Sequence, residues 1–558
     1  MATTANGQRS LAVVWETIAE EFPDAPAQVQ GKRSFTWAQF DRRADGIART
    51  LLDDRASQSD RVAQYLRNSP EYLEVSHAAL KIGIPAVNSN YRYKGEELRY
   101  LWDDADVTSV VFHGSFTETV ASLRSRLPRI RQWIHVDDGS IGCPDWAIGY
   151  EQAAASADGR VFAPWKRSGD DLFLLYTGGT TGLPKGVMWR TTDFLEQTND
   201  VSRPHYDVDA LADSVRATLT EPGWRHVSAS PYMHGSGLFG AFMAMHEAGC
   251  VISLAGAGFD AAELLDAIDA FDVASVTISG EVFASRILAA FDAEPGRWDS
   301  SSVRHVLNSG GMLGEASKRG LLARWPAATI LDGFSSTEGF GMGWSVATRD
   351  DIPPTGLFSP GPNTQLLDSN GVPVAPGSGV IGQLSVRNRL PGGYYKDPEK
   401  SARTFHLING VRSSVPGDHA VLRADGRLQL MGRDSLCINS GGEKIFTEEV
   451  ELTLLDHDAV TDVLVVGVPD PVWGEIVTAV VAVGRTVAAA DLIAHVKERL
   501  ASYKAPRRIA FVELVPRGPN GKPDYPAARA IAVSAVSAET LASPASLVSP
   551  VSPVSPVK

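Results

Sequence analysis

Apolar positions along the chain fall into two rhythms. From the N-terminus to about residue 340, short apolar runs alternate with segments whose apolar residues recur every three to four positions. Runs such as Ser109–Phe112, Ser275–Ile278 and Val303–Asn308 read as buried strands, and the segments between them as amphipathic helices. That alternation predicts βαβ units and mostly parallel sheet. The first helix opens with Ser10 as its cap and carries Leu11, Val14, Trp15 and Ile18 on one face. Residues 340–432 change character. They are rich in Gly and Pro, with short runs at Gln383–Val386, Ala420–Arg423 and Leu428–Met431, which predicts a small antiparallel barrel or meander.

A second unit begins at Ser435. Thr447 caps a helix whose first turn holds Glu448 and Glu449. Strands at Val463–Val468 and Ile476–Val483, a helix at Ala489–Leu500 and a strand at Ile509–Leu514 complete a compact unit of ordinary domain size. From about Ile531 the chain turns to Ala, Ser, Val and Pro with repeated Val-Ser-Pro triplets, a composition that predicts a disordered tail over 531–558. The expected fold class is therefore α/β. A large N-terminal domain, 1–434, holds two βαβ-type sheets and a small β-barrel subdomain at about 340–432. A small C-terminal α+β domain occupies 435–530.

Length and charge narrow the classes. A chain of 558 residues is too long for one ordinary core. A net charge of -14 argues against general nucleic-acid affinity, so an anionic ligand has to be held by local groups. Cys143, Cys250 and Cys437 lie far apart with no metal-ligand spacing. No basic leader followed by an apolar run opens the chain, and no stretch approaches eighteen apolar residues, so the expectation is a cytoplasmic protein without an integral membrane segment. A homodimer is permitted but not required.

The segment Leu174–Arg190, LLYTGGTTGLPKGVMWR, carries the strongest chemical signal. An apolar run, Leu172–Tyr176, breaks into Gly178, Gly179 and Gly182, where backbone can approach a ligand closely. Thr177, Thr180 and Thr181 add hydroxyls and Lys185 a positive charge, the make-up of a phosphate-wrapping loop. Pro184 before the lysine excludes a Walker A loop. A competing signal is Gly256-Ala-Gly258-Phe-Asp-Ala261, a G-x-G-x-x-A dinucleotide pattern with Asp272 downstream. It is short and lies mid-chain, so a nicotinamide oxidoreductase is a remote alternative.

Five segments together, YTGGTTGLPKGVM (176–188), DGFSSTEG (332–339), PGD (416–418), GRDSLCINSGGEKIFTEEVE (432–451) and PNGKPDY (519–525), resemble the adenylate-forming superfamily of acyl-CoA synthetases, luciferases and peptide-synthetase adenylation domains. The resemblance runs from the first helix to about Asp524 and is nearest to AMP-forming CoA ligases of fatty acids and steroid side-chain acids. It implies ATP, Mg²⁺ and CoA as cofactor and co-substrates, with a small carboxylic acid as partner. It assigns Thr177, Gly178, Gly179, Thr180, Thr181, Gly182 and Lys185 to the phosphates. Gly310, Gly311, Asp332, Gly333, Phe334, Ser335 and Thr337 go to the adenine and α-phosphate region. Asp418 and Arg433 go to the ribose. Phe334 and Ser335 stand where many relatives have Tyr-Gly, which keeps the stacking face and loses a hydroxyl. The metal falls to Glu338 with Thr177, and Lys522 is the lysine that bridges carboxylate and α-phosphate. Ser435 occupies the hinge position, and the resemblance implies that the C-terminal domain is mobile. Ser440, Gly441, Gly442 and Lys444 fall on the loop along the CoA tunnel, and Lys504 and Arg507 either contact the CoA phosphates or are solvated on the surface. His234 stands beside the acyl pocket, and Gly235, Gly237 and Gly240 are expected to leave room there. Gly235 replaces the Asp of amino-acid-activating domains. An adenylation-only or luciferase-like enzyme is the nearest alternative function. Taken singly, these residues have ordinary readings: a Gly-Asp turn at Asp418, a β-turn at Gly441–Gly442, an exposed lysine at 522.

Overall fold

The computed structural model describes residues 9–53, 55–178, 183–201, 204–311, 313–433, 437–516 and 524–542. The chain forms two compact units that part between 435 and 436.

The first unit is built on two sheets. One runs in the order Gly393–Tyr394, Pro184–Arg190, Leu172–Gly178, Ala86–Asn88, Val62–Tyr65, Ser109–His113, Gln132–Val136, Ile148–Gly149. Its strands are parallel from Leu172–Gly178 onward, while the two strands flanking the glycine loop pair antiparallel, Leu172 opposite Arg190 and Gly178 opposite Pro184. The other sheet has a parallel core of Pro26–Gln30, Cys250–Ile252, Arg225–Ser228, Ser275–Ile278, His305–Ser309 and Thr329–Ser336. Its helices pack large side chains inward, and Trp15, Trp37, Phe40 and Phe242 share one core. Ser10 caps Leu11–Glu21, its hydroxyl accepting from the Ala12 amide at 3.2 Å, a contact worth about 1 kcal/mol.

The region expected to form an antiparallel barrel or meander is antiparallel and joins the second sheet through hydrogen-bonded strands. Thr337 and Glu338 make the turn after Thr329–Ser336, so Gly339–Ala347 returns antiparallel beside it. Leu357–Pro360, Leu428–Arg433, Asp418–Leu422 and Ile381–Arg387 then extend the same hydrogen-bonded path. Met342, Leu384, Val386, Ala420 and Leu428 give this extension its own small core.

In the second unit, Val460–Asp470 and Gly474–Val483 pair along their length, and Cys437–Ser440, Glu443–Phe446 and Arg508–Phe511 complete the sheet. Residues alternate between faces, as the pleat requires. Val463, Val465, Val477 and Val481 pack with Leu454, Leu492 and Val496, whereas Leu464, Val466, Val480 and Ala482 pack with Ala528 and Ala532. The second face corrects the expected start of a disordered tail at 531. A helix spans Tyr525–Ala542, because the Ala-rich stretch supplies small side chains that let it lie close on an apolar sheet face. Residues 543–558 lie outside the described residues. No described helix is long and apolar enough to cross a membrane.

Candidate active site

The strand leading into the glycine loop is fixed by a buried asparagine. Asn88 Oδ1 accepts from the Tyr176 amide at 2.7 Å, and its Nδ2 donates to the Tyr176 carbonyl at 2.9 Å and the Met233 carbonyl at 2.7 Å. One side chain thus ties the loop strand to the residue before His234. Thr177 lies opposite Lys185 across the hairpin. Gly186 is required by close approach, since a Cβ there would come within 2.6 Å of the Tyr176 ring, whose hydroxyl donates to Asp104 at 2.9 Å. Lys185 is held at 3.1 Å from Asp397. Gly179, Thr180, Thr181 and Gly182 lie outside the described residues.

Glu338 meets this hairpin from the other sheet. Tyr394, whose strand pairs with Val187 and Met188, donates its hydroxyl to Glu338 Oε1 at 2.8 Å. Trp189 on the same strand donates Nε1–H to the Thr337 carbonyl at 3.0 Å. Glu338 and Thr337 are therefore positioned by the strand that follows the glycine loop. Lys400 lies nearby, its ammonium 4.5 Å from the centre of the Tyr394 ring. Among the described residues no three His, Cys, Asp or Glu side chains converge as a metal cage.

Along the parallel strands, Asn308 and Asp332 are neighbours in register. Asn308 Nδ2 donates to Asp332 Oδ1 at 2.7 Å and to the Gly311 carbonyl at 2.9 Å, and Lys318 pairs with Asp332 Oδ2 at 2.9 Å in a nearly solvent-free setting. The Asp332 carboxylate is thus paired inside the protein. Gly310 has φ +85, and its Cβ direction faces Ser236 and Ser279. Gly333 lies opposite Trp344, and Phe334 stands half-buried with its ring 5.7 Å from Phe358. Ser335 Oγ accepts from the Gly341 amide at 2.9 Å.

His234 is the residue before the helix Gly235–His246. The helix glycines correct an expectation. A Cβ on Gly237 would come within 2.4 Å of the Pro231 carbonyl oxygen, and on Gly240 within 2.3 Å of Thr277 Oγ1. Both glycines serve close packing of the helix and leave no space for an acyl group. Gly235 faces Phe239 and Leu175. The buried Asp418 lies directly opposite Arg433 on adjacent antiparallel strands, so the two residues assigned to the ribose share one register position. The Arg433 side chain lies outside the description.

In the second unit, Gly441 and Gly442 join Ser440 to Glu443 with φ +60 and +83. A two-residue hairpin turn with both central φ positive calls for glycine by itself. A Cβ on Gly441 would also come within 2.7 Å of the Trp473 ring. The Arg507 guanidinium stacks on that ring at 3.9 Å, while Lys504 is buried rather than solvated. The Lys444 side chain, Ser435 and Lys522 lie outside the described residues.

The dinucleotide pattern at 256–261 is filled from within. Glu263 Oε1 accepts from the Ala255 and Gly256 amides at 2.6 and 3.0 Å, and Asp260 caps the helix Ala261–Phe271. The amides that would cradle a pyrophosphate already hold a carboxylate of this chain.

A family model described as AMP-binding enzyme matches residues 15–395, and one described as AMP-binding enzyme C-terminal domain matches 449–522. The chain belongs to the AMP-binding enzyme family. The medium-chain acyl-CoA ligase Mig of Mycobacterium avium is 35% identical to this AMP-binding enzyme, over 93% of this chain and 98% of that protein. The medium/long-chain-fatty-acid–CoA/3-oxocholest-4-en-26-oate–CoA ligase of Mycolicibacterium smegmatis is 37% identical over 92% and 95%. In fold the enzyme is similar to the amide bond synthetase McbA from Marinactinospora thermotolerans, with TM-score 0.76 and 23% identity over 93% of this chain and 99% of that one.

Several residues of this AMP-binding enzyme's site escape sequence reasoning. Asn88, Tyr394 and Lys318 act through contacts between segments far apart in the chain, and no local pattern marks them. Asp397 carried a readable signal, since Asp-Pro opens a helix: its carboxylate accepts from the Lys400 amide at 2.9 Å as the cap of Pro398–Thr404.

Proposed function

We propose that this AMP-binding enzyme is an acid–CoA ligase that activates a carboxylic acid with ATP and passes the acyl group to CoA. The observation that carries this reading is the convergence of Thr177, Lys185 and Glu338 on the strand pair around the glycine loop, tied together by Asn88 and Tyr394. Two anions must be brought together, so positive charge and fixed donors have to precede chemistry. The substrate carboxylate attacks the α-phosphorus, the bond to the bridging oxygen breaks, and pyrophosphate leaves. The CoA sulfur then attacks the acyl carbonyl and AMP departs.

Glu338, half-buried and steadied by Tyr394, offers one carboxylate to Mg²⁺, which suits a cation that completes its shell with phosphate oxygens and water. Bound there, Mg²⁺ would neutralise phosphate charge. Lys522 is the residue we assign to the reacting oxygens. Asp418 with Arg433 holds the ribose hydroxyls. Motion of the second unit about Ser435 exchanges Lys522 for the Gly441 turn between half-reactions. The relatives named above support a fatty or steroid side-chain acid as substrate. The test is acid-dependent exchange of labelled pyrophosphate into ATP without CoA. Lys522→Ala is expected to abolish exchange while sparing thioester formation from supplied acyl-AMP. Equal loss of both half-reactions contradicts the assignment.

A further inference from the structure

The lysine that sequence singles out at the phosphate loop is not the one left available by the fold. Lys185 is paired with Asp397 at 3.1 Å, with both side chains largely covered. Lys400, one turn into the helix that Asp397 caps, has no carboxylate within 4.0 Å among the described residues. Its ammonium sits half-buried over the Tyr394 ring at 4.5 Å, and the hydroxyl of that same ring holds Glu338 at 2.8 Å. The segment is not free to drift. Tyr394 pairs with Val187, the Tyr395 amide donates to the Gly186 carbonyl at 2.7 Å, and the Tyr394 amide donates to Ser401 Oγ at 2.8 Å. Burial, and the nearby charge of Lys185, push the Lys400 ammonium below its ordinary range, while Glu338 and Asp397 pull it back. A partly desolvated cation with no carboxylate at contact distance among the described residues is a costly arrangement that an anionic ligand would relieve.

We infer that Lys400 contacts the β- and γ-phosphates of ATP and the pyrophosphate that leaves, alongside Lys185. The inference rests on the proposed function, because it takes the glycine loop as the phosphate site. It distinguishes Lys400 from Lys185 and Lys396, the other lysines of this segment and its partner hairpin, which pair with Asp397 and Asp106. It also gives Tyr394 two tasks, steadying Glu338 through its hydroxyl and Lys400 through its ring.

The test compares full-length wild type, Lys400→Met and Lys400→Arg. Methionine keeps an apolar stem on the Tyr394 ring and removes only the charge, and thermal melting checks that both variants fold. Binding of inorganic pyrophosphate and of ATP is measured directly, and KM for ATP and for the acid separately. Lys400→Met is expected to weaken both phosphate ligands about tenfold, the scale of one charge-assisted hydrogen bond, with KM for the acid unchanged. Lys400→Arg is expected to stay within about threefold of wild type. Undiminished pyrophosphate and ATP binding by folded Lys400→Met overturns the inference and leaves the ligase reading intact. Wild type that binds neither ligand overturns both.

Discussion

Tyr394 holds Glu338 through one hydrogen bond of 2.8 Å, and a group that orients a metal-binding carboxylate, the role proposed for Glu338, typically accounts for 10–100-fold in activity. Tyr394→Phe is therefore expected to lower kcat/KM by about that factor, with stability down by no more than about 1 kcal/mol. Unchanged kcat/KM in the folded variant would remove Tyr394 from the site. Lys318 behaves differently. Its ammonium is sealed against Asp332, and Lys318→Met would leave a buried carboxylate with only Asn308. Such a loss costs about 3–5 kcal/mol, so the urea midpoint should fall sharply. A near-normal midpoint would show that Asp332 is solvated. The residue types at Thr177, Lys185 and Glu338 were legible because their chemistry is local. The partner of Asp332 was not legible, since Lys318 sits on a neighbouring helix that no spacing rule connects to it.

The strand into the glycine loop was readable from the apolar run Leu172–Tyr176 and continues to Gly178, and Ser275–Ile278 appears as expected, buried between two parallel neighbours. Val303–Asn308 starts later, at His305, because the strand begins where Ser275 lies opposite. The helix glycines show the limit of composition: Gly237 and Gly240 looked like open space and are contacts. Gly186 is the sharper case. Gly186→Ala would press a methyl into the Tyr176 ring, and overpacking of this kind costs about 1–3 kcal/mol. Thermal melting should register that loss together with a higher KM for ATP. The C-terminal helix offers a second test. Ala532→Asp would bury a charge against Val466 and Val480. Amide exchange should then quicken in Val460–Asp470 and Gly474–Val483 and stay unchanged in Ser109–His113. Uniform protection would mean that the helix does not cover the sheet.

The whole molecule carries buried neutral histidines. Burial pushes His113 down to about 4 and His226 and His246 down to about 3, from 6.5. Between pH 6.5 and these values the unfolded chain binds protons that the folded chain refuses, so stability falls as pH falls. Each histidine contributes up to about 1.4 kcal/mol per pH unit in that window. His226→Asn should flatten the pH dependence of unfolding by up to that amount, and an unaltered slope would show that His226 titrates normally in the fold. At this scale the antiparallel extension was legible as strands and not as topology, because the Thr337–Glu338 turn decides which sheet they join. One reaction tests the proposed ligase activity most directly. Purified enzyme is incubated with ATP, Mg²⁺ and a panel of fatty and steroid side-chain acids, with and without CoA, while pyrophosphate, AMP and thioester are quantified. Acid-dependent pyrophosphate release, with AMP and acyl-CoA formed in equal amounts only when CoA is present, is the predicted result. Pyrophosphate release that continues without any thioester on adding CoA would contradict it.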